Sequence, residues 1–399
     1  MSTEQPTDAR VHVPISLLIA AAALTVSFGA IFGLLADLQK SLGFAAWGLG
    51  VAAAGAFIAA FFAQILLARY ADRGYGRVML VGGVALAVVA CLGIAAANDL
   101  AELIAARALL GVAEGVFFPA ARRVVIVQNP HSMGGALGRL TAWQTGGFLC
   151  GPPLAAFVAD AFGLRVPFVL LAVGLCVTLP VMLRFAVPPI TGGDGHAPVR
   201  ALLANPGVRA GLYLGAGLAI PIGVYDSLWA RYLTDLGAST VFIGVSLTLF
   251  ALPMAVFAGR AGRLAEREGP RRVGMFGLAG AVPFIALYGI VAVPWVIGCI
   301  AFVQSFFDSV VVPSSQAQVA HAAPREHIAA GQGLLDGTGL LLSAVTALLA
   351  APVYERWGAA AVWLGLAACV AVCAVVVAPR PIRTRETRSP ARALAEPAP

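Results

Sequence analysis

The chain contains several long stretches without a single charged side chain, of which residues 13–36, 41–68 and 273–307 are the clearest. A helix needs about 20 mostly apolar residues to cross the hydrocarbon core of a bilayer. Only 11% of the 399 residues are charged and 60% are apolar, whereas soluble domains carry roughly 25% charged residues. The composition therefore argues against a water-soluble enzyme and predicts an all-α polytopic membrane protein.

Apolar stretches bounded by charged and turn residues predict twelve transmembrane helices. Pro294 interrupts the uncharged region 273–307 and separates two of them. The first stretch is longer than the apolar region of a signal peptide, so we interpret it as a retained span. The spans are predicted at about 14–36, 45–68, 78–97, 101–121, 139–160, 166–186, 209–230, 240–260, 273–292, 295–318, 331–353 and 360–378.

The distribution of basic residues along the chain predicts its orientation. Of the 26 basic residues, 21 fall in segments on one side of the predicted spans and 4 fall on the other side. Because Lys and Arg accumulate in cytoplasmic loops, both termini are predicted to be cytoplasmic, in a protein of the cell (plasma or inner) membrane. Topology thus accounts for the net charge of +7, and nucleic acid is not expected as a partner.

Short connections divide the chain into two halves of six predicted spans. Residues 1–13 are predicted to be a cytoplasmic tail, and residues 14–186 a first six-helix bundle. A Pro- and Gly-rich cytoplasmic linker, 187–208, leads to a second six-helix bundle at 209–378. The Pro-, Arg- and Ala-rich residues 379–399 are predicted to be a disordered cytoplasmic tail.

The two halves repeat each other at an offset of 194 residues. Ala71-Asp72-Arg73 matches Ala265-Glu266-Arg267, and Glu114 falls on Asp308. With one inserted residue the match continues as far as Gly358. Six spans repeated in parallel orientation, with a substrate site between the halves, form the architecture of one large class of transporters.

Motifs in this register resemble signatures of the major facilitator superfamily. Residues 68–77 (ARYADRGYGR) are similar to its loop signature G-x-L-A-D-R-x-G-R-R, and residues 262–272 (GRLAEREGPRR) to its second-half copy. Arg107-x3-Gly111-x2-Glu114-Gly115 is similar to the span-4 motif, and Gly138-x8-Gly147-x3-Gly151-Pro152 resembles the span-5 antiporter motif. The resemblance covers about residues 14–378 and implies twelve helices in two pseudo-symmetric six-helix bundles.

The resemblance also implies roles for the loops and for span 5. It implies that the loop charges act as gates that latch the halves together, although cytoplasmic topology alone would also collect arginines. It implies proton-exchanging export for the span-5 motif, although small residues at this spacing also serve plain helix packing. The gating residues are Asp72, Arg73, Arg77, Glu266, Arg267 and Arg271, and the helix-packing or antiporter residues are Gly138, Gly147, Gly151 and Pro152.

Five ionisable side chains are candidates for charges inside the membrane, where such a group costs about 2.5–3.5 kcal/mol and is rarely kept without a role. Arg107 and Glu114 share a helix face but lie about 10.5 Å apart along its axis, too far for direct pairing. We predict that Glu114 takes up and releases a proton and that Arg107 favours its charged form; a hydrogen-bonded structural acid is the alternative. The proton-coupling candidates are Glu114, Arg107 and Asp308, with Asp226 and Asp336 placed nearer span ends.

Polar and aromatic residues within the spans are candidates to line a substrate cavity, with helix packing as the alternative for each. They are Gln144, Trp143, Trp229, Phe117, Gln304 and Phe307.

The sequence predicts a transporter and not an enzyme, since it contains no HExxH, CxxC, GxSxG or P-loop motif. The leading hypothesis is proton-coupled efflux of small amphipathic molecules by alternating access. It implies no cofactor, the proton gradient as energy source, and a small molecule, protons and lipid as partners of a monomer. Proton-coupled uptake of an organic anion is the alternative, ranked lower because such symporters resemble this chain in span 4 but carry charges in span 1. A membrane sensor or lipid-modifying enzyme is the third hypothesis.

Overall fold

The computed structural model describes residues 13–129, 133–185, 199–324 and 327–378. The predicted C-terminal tail, nearly all of the N-terminal tail and most of the linker 187–208 lie outside these ranges. All the regular secondary structure within the described ranges is helical. The described end of the linker contains a short helix, Val199–Ala204.

The long helices follow the predicted spans. In the first half they are α1 (Ile15–Leu42), α2 (Trp47–Tyr70), α3 (Gly76–Ala96), α4 (Leu100–Gln128), α5 (Met133–Phe162) and α6 (Val166–Leu183). In the second half they are α7 (Pro206–Asp235), α8 (Thr240–Glu268), α9 (Pro270–Leu287) and α10 (Pro294–Ala322). The last helical stretch, Ile328–Val377, is broken at Gly358 into α11 (328–357) and α12 (359–377).

Nine of the described helical stretches are long and apolar enough to cross a membrane, and the longest, Ala330–Val377, contains both α11 and α12. Helices α5 and α9 complete the twelve. Several helices run past their predicted ends; α4 continues to Gln128 and α8 to Glu268. Apolar composition locates the hydrocarbon-spanning part of a helix, whereas the hydrogen-bonded backbone continues into the polar interface.

Side-chain caps that the sequence supplies mark the starts of α4, α7 and α8. The Asp99 carboxylate accepts a hydrogen bond from the Glu102 backbone N–H (2.8 Å), and the Glu102 carboxylate accepts one from the Asn98 N–H (2.8 Å). Ser239 caps α8 and Asn205 caps α7 in the same manner. Each cap satisfies a backbone donor that the first helical turn leaves without a partner.

The internal repeat is present in the backbone. Among the described residues, the positive-φ positions are six glycines, which form three pairs: Gly43 with Gly237, Gly74 with Gly269, and Gly163 with Gly358. The members of a pair are 194 or 195 residues apart. Each pair ends or breaks helices at the same place in both halves, and only glycine adopts this conformation without strain.

Helix packing repeats as well. Gly29 of α1 lies against the Phe148 carbonyl of α5, and its counterpart Gly223 of α7 lies against the Ser343 carbonyl of α11. Two crossings join the halves: Gly50 of α2 meets the Ala347 carbonyl of α11, and Gly244 of α8 meets the Pro152 carbonyl of α5. A side chain at any of these glycines would collide with the neighbouring backbone, so close approach requires glycine there.

Candidate functional site

A buried ion pair joins the two halves at the centre of the molecule. The Arg107 guanidinium on α4 donates two hydrogen bonds to the Asp226 carboxylate on α7, one of them from Nη1 to Oδ1 at 3.2 Å. Both side chains are almost completely buried, at 1% and 0% exposure. From the sequence, Asp226 is predicted near a span end, and Glu114 is the one acid predicted to interact with Arg107. The structure instead places Asp226 deep in α7 as the ion-pair partner of Arg107, 119 residues away in the chain.

Asp226 lies on an irregular turn of α7. Residues Tyr225–Trp229 form a π-helical turn between two α-helical segments. Pro221, four residues before this turn, has no backbone N–H to donate, and it loosens the preceding hydrogen-bonding pattern. Turns of this kind are frequent at functional sites because they re-aim side chains.

Glu114 lies two turns along α4 from Arg107, within electrostatic range of both Arg107 and Asp226. Its side chain is half-buried, and among the described residues it has no hydrogen-bond or ion-pair partner. The central site therefore holds one paired carboxylate and one carboxyl group that stands apart from the pair.

A second buried acid, Asp308 on α10, lies in a hydrogen-bonded network of the second half. The Gln304 amide donates to the Asp308 carboxylate (2.9 Å) and to the Tyr225 hydroxyl (3.0 Å). The Tyr288 hydroxyl on α9 donates to the Gln304 amide oxygen (2.6 Å). Three helices thus meet at one side-chain amide, and Asp308 has no cationic partner among the described side chains.

Aromatic rings surround this network. Trp229 and Trp363 pack edge to face at 5.9 Å, and Tyr288 contacts both rings at 5.1–5.3 Å. The Trp229 indole donates to the Ser246 hydroxyl (3.1 Å). We call Tyr225, Trp229, Tyr288, Gln304, Asp308 and Trp363 the aromatic–polar cluster. Asp308, Gln304 and Trp229 are among the residues that the sequence predicts for the site, whereas both tyrosines and Trp363 are not. Each of these three stands in place of an apolar residue at the repeat offset, and that contrast is the signal for them.

Polar contacts also join the halves at the end of the molecule predicted to face outside. The Thr240 hydroxyl donates to the Asp37 carboxylate (2.7 Å), and Arg231 donates to the Gln39 side-chain oxygen (3.0 Å). Beside them a cavity of about 530 Å³ is lined in part by Asp37, Lys40 and Asp160. These outer contacts lie in the first half on α1 and in the second half on α7 and α8.

At the opposite, predicted cytoplasmic end, Arg122 of α4 forms an ion pair with Asp336 of α11. The side chains are 38% and 28% exposed. The partial exposure of Asp336 agrees with its predicted position near a span end, and its role in proton coupling stays a prediction. Arg122, which the sequence assigned only to topology, holds this second inter-half pair.

Within the described part of the chain, the loop residues predicted to latch the halves form no hydrogen bond or ion pair with the opposite half, and their gating role stays a prediction. Arg73, Arg77, Glu266 and Arg267 are exposed, and Arg73 stacks over the Tyr70 ring at 5.8 Å. Arg271 donates to the carbonyls of Val377 (2.6 Å) and Ala378 at the end of α12, within its own half. The Asp72 side chain lies outside the described part of the chain.

The span-5 motif divides into packing and non-packing positions. Gly147 and Gly151 lie against the α1 backbone, where an added Cβ would be 2.5 Å from the Ala22 or Val26 carbonyl oxygen. The Pro152 carbonyl meets Gly244 across the halves. Gly138, in contrast, has open space at its Cβ position and takes no part in this packing.

Two of the predicted cavity residues pack inside their own half. Phe117 is fully buried against Gly83 of α3, and Phe307 packs on Gly280 and the Phe284 ring of α9. These contacts fit the alternative of helix packing for both rings, and their place in a substrate cavity stays a prediction. Trp143 and Gln144 are half-buried on α5.

Comparison with known proteins identifies relatives along most of the chain. The family model described as Major Facilitator Superfamily matches twice, over residues 17–231 and 214–399. The multidrug resistance protein MdtG of Enterobacter lignolyticus is 28% identical over 334 residues, covering 81% of this chain and 79% of the relative. MdtG of Dickeya zeae is 28% identical over 281 residues, covering 67% and 68%.

Solved structures show the same fold. A D323A mutant of the nucleoside transporter NupG superposes with a TM-score of 0.76 at 14% identity, over 91% of this chain and 98% of NupG. The human organic anion transporter MFSD10 superposes with a TM-score of 0.70 at 18% identity, over 94% and 100%. The twelve-helix membrane fold, its internal repeat and the family match agree, and the chain belongs to the major facilitator superfamily of transporters.

Proposed function

We propose that this transporter exports small amphipathic molecules in exchange for protons by alternating access. The observation that carries the proposal is the buried Arg107–Asp226 pair between the halves, with Glu114 in electrostatic range of both charges. A buried ion pair that loses one charge leaves the other unpaired at a high cost. Protonation in this group therefore changes how firmly the halves hold together, which is what coupling of proton movement to a rocking motion requires.

The direction of transport is supported by the relatives that are named multidrug resistance proteins. The orientation with both termini in the cytoplasm follows from the arginine distribution. We propose that residues 14–186 and 209–378 act as the two moving bundles, joined by the crossings at Gly50 and Gly244.

Inside-out vesicles with an imposed pH gradient test this proposal. Addition of compounds from a susceptibility panel should collapse the gradient in vesicles with the wild-type protein, and Glu114→Gln should abolish this proton movement while the protein is still made. Asp160→Asn, in the outer cavity, is the matched control for removal of an acid and should leave it intact. Gradient-driven transport that persists in Glu114→Gln would remove this residue from the proton path.

Uptake of an organic anion is the second candidate, because Arg107 is a buried cation that a substrate carboxylate could reach by displacing Asp226. It predicts uptake of a carboxylate by intact cells that is lost in Arg107→Ala. It also predicts that Asp226→Asn, which frees the guanidinium, retains anion binding. Drug export that is sensitive to Asp226→Asn, without anion uptake, rejects this candidate.

A further inference from the structure

Five of the six members of the aromatic–polar cluster have apolar counterparts in the first half, although the fold there is the same; the sixth, Asp308, corresponds to Glu114. At the offset of 194 residues, Tyr225, Tyr288 and Gln304 correspond to buried apolar side chains, as do Trp229 and, at 195, Trp363. The counterparts are Ile31, Ile94, Leu110, Leu35 and Phe168. All five are fully buried, so the six-helix bundle packs well without a polar group at any of these positions.

The π-helical turn of α7 likewise has no counterpart at the matching position of the first half. Its counterpart in α1 lies at residues 31–35, inside the uninterrupted α-helix Ile15–Leu42. The counterpart of Asp226 is Phe32. The turn and the polar network are therefore additions that the repeated fold does not need.

The turn joins the two buried acidic centres. Tyr225 and Asp226 are consecutive residues of the turn, and their side chains bond different partners. The Tyr225 hydroxyl accepts a hydrogen bond from the Gln304 amide, which also donates to Asp308. The Asp226 carboxylate accepts from Arg107. One continuous path of hydrogen bonds and one peptide unit thus runs from Asp308 on α10 to Arg107 on α4. It crosses from one half of the molecule to the other.

We propose that Tyr225 and Gln304 are positioning residues that couple the charge on Asp308 to the Arg107–Asp226 pair through the π-helical turn. An ionised Asp308 accepts the charge-assisted bond that fixes the Gln304 amide, and the amide fixes the Tyr225 hydroxyl. A protonated Asp308 becomes a donor, and that bond is weakened. A π-helical turn holds one residue more than an α-helical turn, so relaxation at Tyr225 rotates Asp226 away from Arg107.

This inference rests on the proposed function for its role in transport, because it gives the second half its own proton-sensitive input to the inter-half pair. Its physical content stands apart from transport. Asp308 faces Tyr225 from α7 and Tyr288 from α9, while Asp226 faces Arg107 and Glu114 from α4. Since Glu114 also acts on Asp226, the test is made in a Glu114→Gln background.

The test measures the apparent Tm of the purified full-length protein in detergent over a pH series from about 5 to 8. The quantity of interest is the loss of Tm caused by Asp226→Asn. We expect this loss to be larger at the high end of the range, because higher pH favours ionisation of Asp308 and so keeps Asp226 on Arg107, by about 2 °C or more. In an Asp308→Asn background the loss should become independent of pH.

Tyr225→Phe keeps the ring and removes the hydroxyl, and it should also make the loss independent of pH. Gln304→Leu, which installs the residue of the first half, is the second variant and should act alike. Tyr232→Phe is the matched control; its hydroxyl bonds the Tyr288 and Val291 carbonyls beside the cluster, and its loss should leave the pH dependence in place. The proposal is overturned if the loss of Tm caused by Asp226→Asn still depends on pH in the Asp308→Asn background. It is also overturned if that loss still depends on pH in both the Tyr225→Phe and the Gln304→Leu backgrounds. Neither result depends on whether the protein exchanges protons for drugs.

Discussion

The two halves share a backbone plan but differ in the chemistry that they bury. Both are built on the same positive-φ glycines and on matching helix contacts such as those of Gly29 and Gly223. The first half contributes Arg107 and Glu114 from α4, and its other buried side chains, where the structure describes them, are uncharged. The second half contributes two acids, a π-helical turn and a tyrosine–amide network. The comparison teaches that the fold requires only glycines and apolar side chains in register, while the charged centre is assembled from both halves.

The largest effect is expected when the charge that the first half supplies, that of Arg107, is removed. Arg107→Leu leaves Asp226 buried without a partner, at a cost of about 3–5 kcal/mol, and we expect a large loss of apparent Tm and of transport. Arg107→Leu with Asp226→Leu should recover most of the Tm, because replacing both charges by apolar groups is often neutral, but no transport. Thermal unfolding in detergent and efflux assays measure the two effects. A double variant no more stable than the single one would contradict this account of the pair.

The two crossings between the halves test whether the repeat is mechanical as well as structural. Gly50→Ala and Gly244→Ala each place a Cβ against a backbone carbonyl of the other half, and overpacking of this kind costs about 1–3 kcal/mol. We expect similar losses of apparent Tm for both. Gly138→Ala, which meets nothing within 4 Å, is the control and should not destabilise. Unequal losses of apparent Tm would show that the helices at one crossing can move apart to accept the added methyl group.

Exchange of the residues at one repeat position sharpens the contrast in polarity. Leu110→Gln introduces an amide into the apolar first half, and Gln304→Leu removes the amide that Tyr288, Tyr225 and Asp308 share. A buried polar group without its partner costs about 1–3 kcal/mol, so both variants should lower the apparent Tm. A neutral or stabilising Gln304→Leu would mean that the network is not held by its amide.

The smallest effect is expected at the predicted cytoplasmic end. Arg122 and Asp336 are partly exposed, and pairs of this kind contribute about 0–1 kcal/mol. Asp336→Asn should leave the apparent Tm nearly unchanged but should increase labelling of cysteines placed at this end, because one tie between the halves is lost. Glu268→Gln, at an exposed acid that ends α8 and has no partner among the described side chains, serves as the control. Equal labelling of both variants would deny the pair a gating role.

The sequence predicted the fold well because spans, repeat and loop motifs are local patterns. The partner of Arg107 escaped it, since Asp226 is 119 residues away and spacing along one helix offered only Glu114. Arg122 was interpreted as a topology signal because apolar composition ended its span at residue 121, whereas α4 continues to Gln128. The π-helical turn has no periodic pattern in the sequence by which it could be predicted. The replacement of apolar Ile31 by Tyr225 at the repeat offset is a local sign of it.

The Arg107–Asp226 pair carries no net charge, so a membrane potential does little net work on it when the halves move. Glu114 and Asp308 differ, because neither has a bonded cation among the described side chains. In ionised form, each would gain or lose about 2.3 kcal/mol for a full crossing of a 100 mV potential. A carrier that returns with both acids ionised would be driven or slowed by voltage, and one that returns with both protonated would be nearly indifferent to it. The voltage sensitivity of the return step therefore counts the protons that the carrier holds.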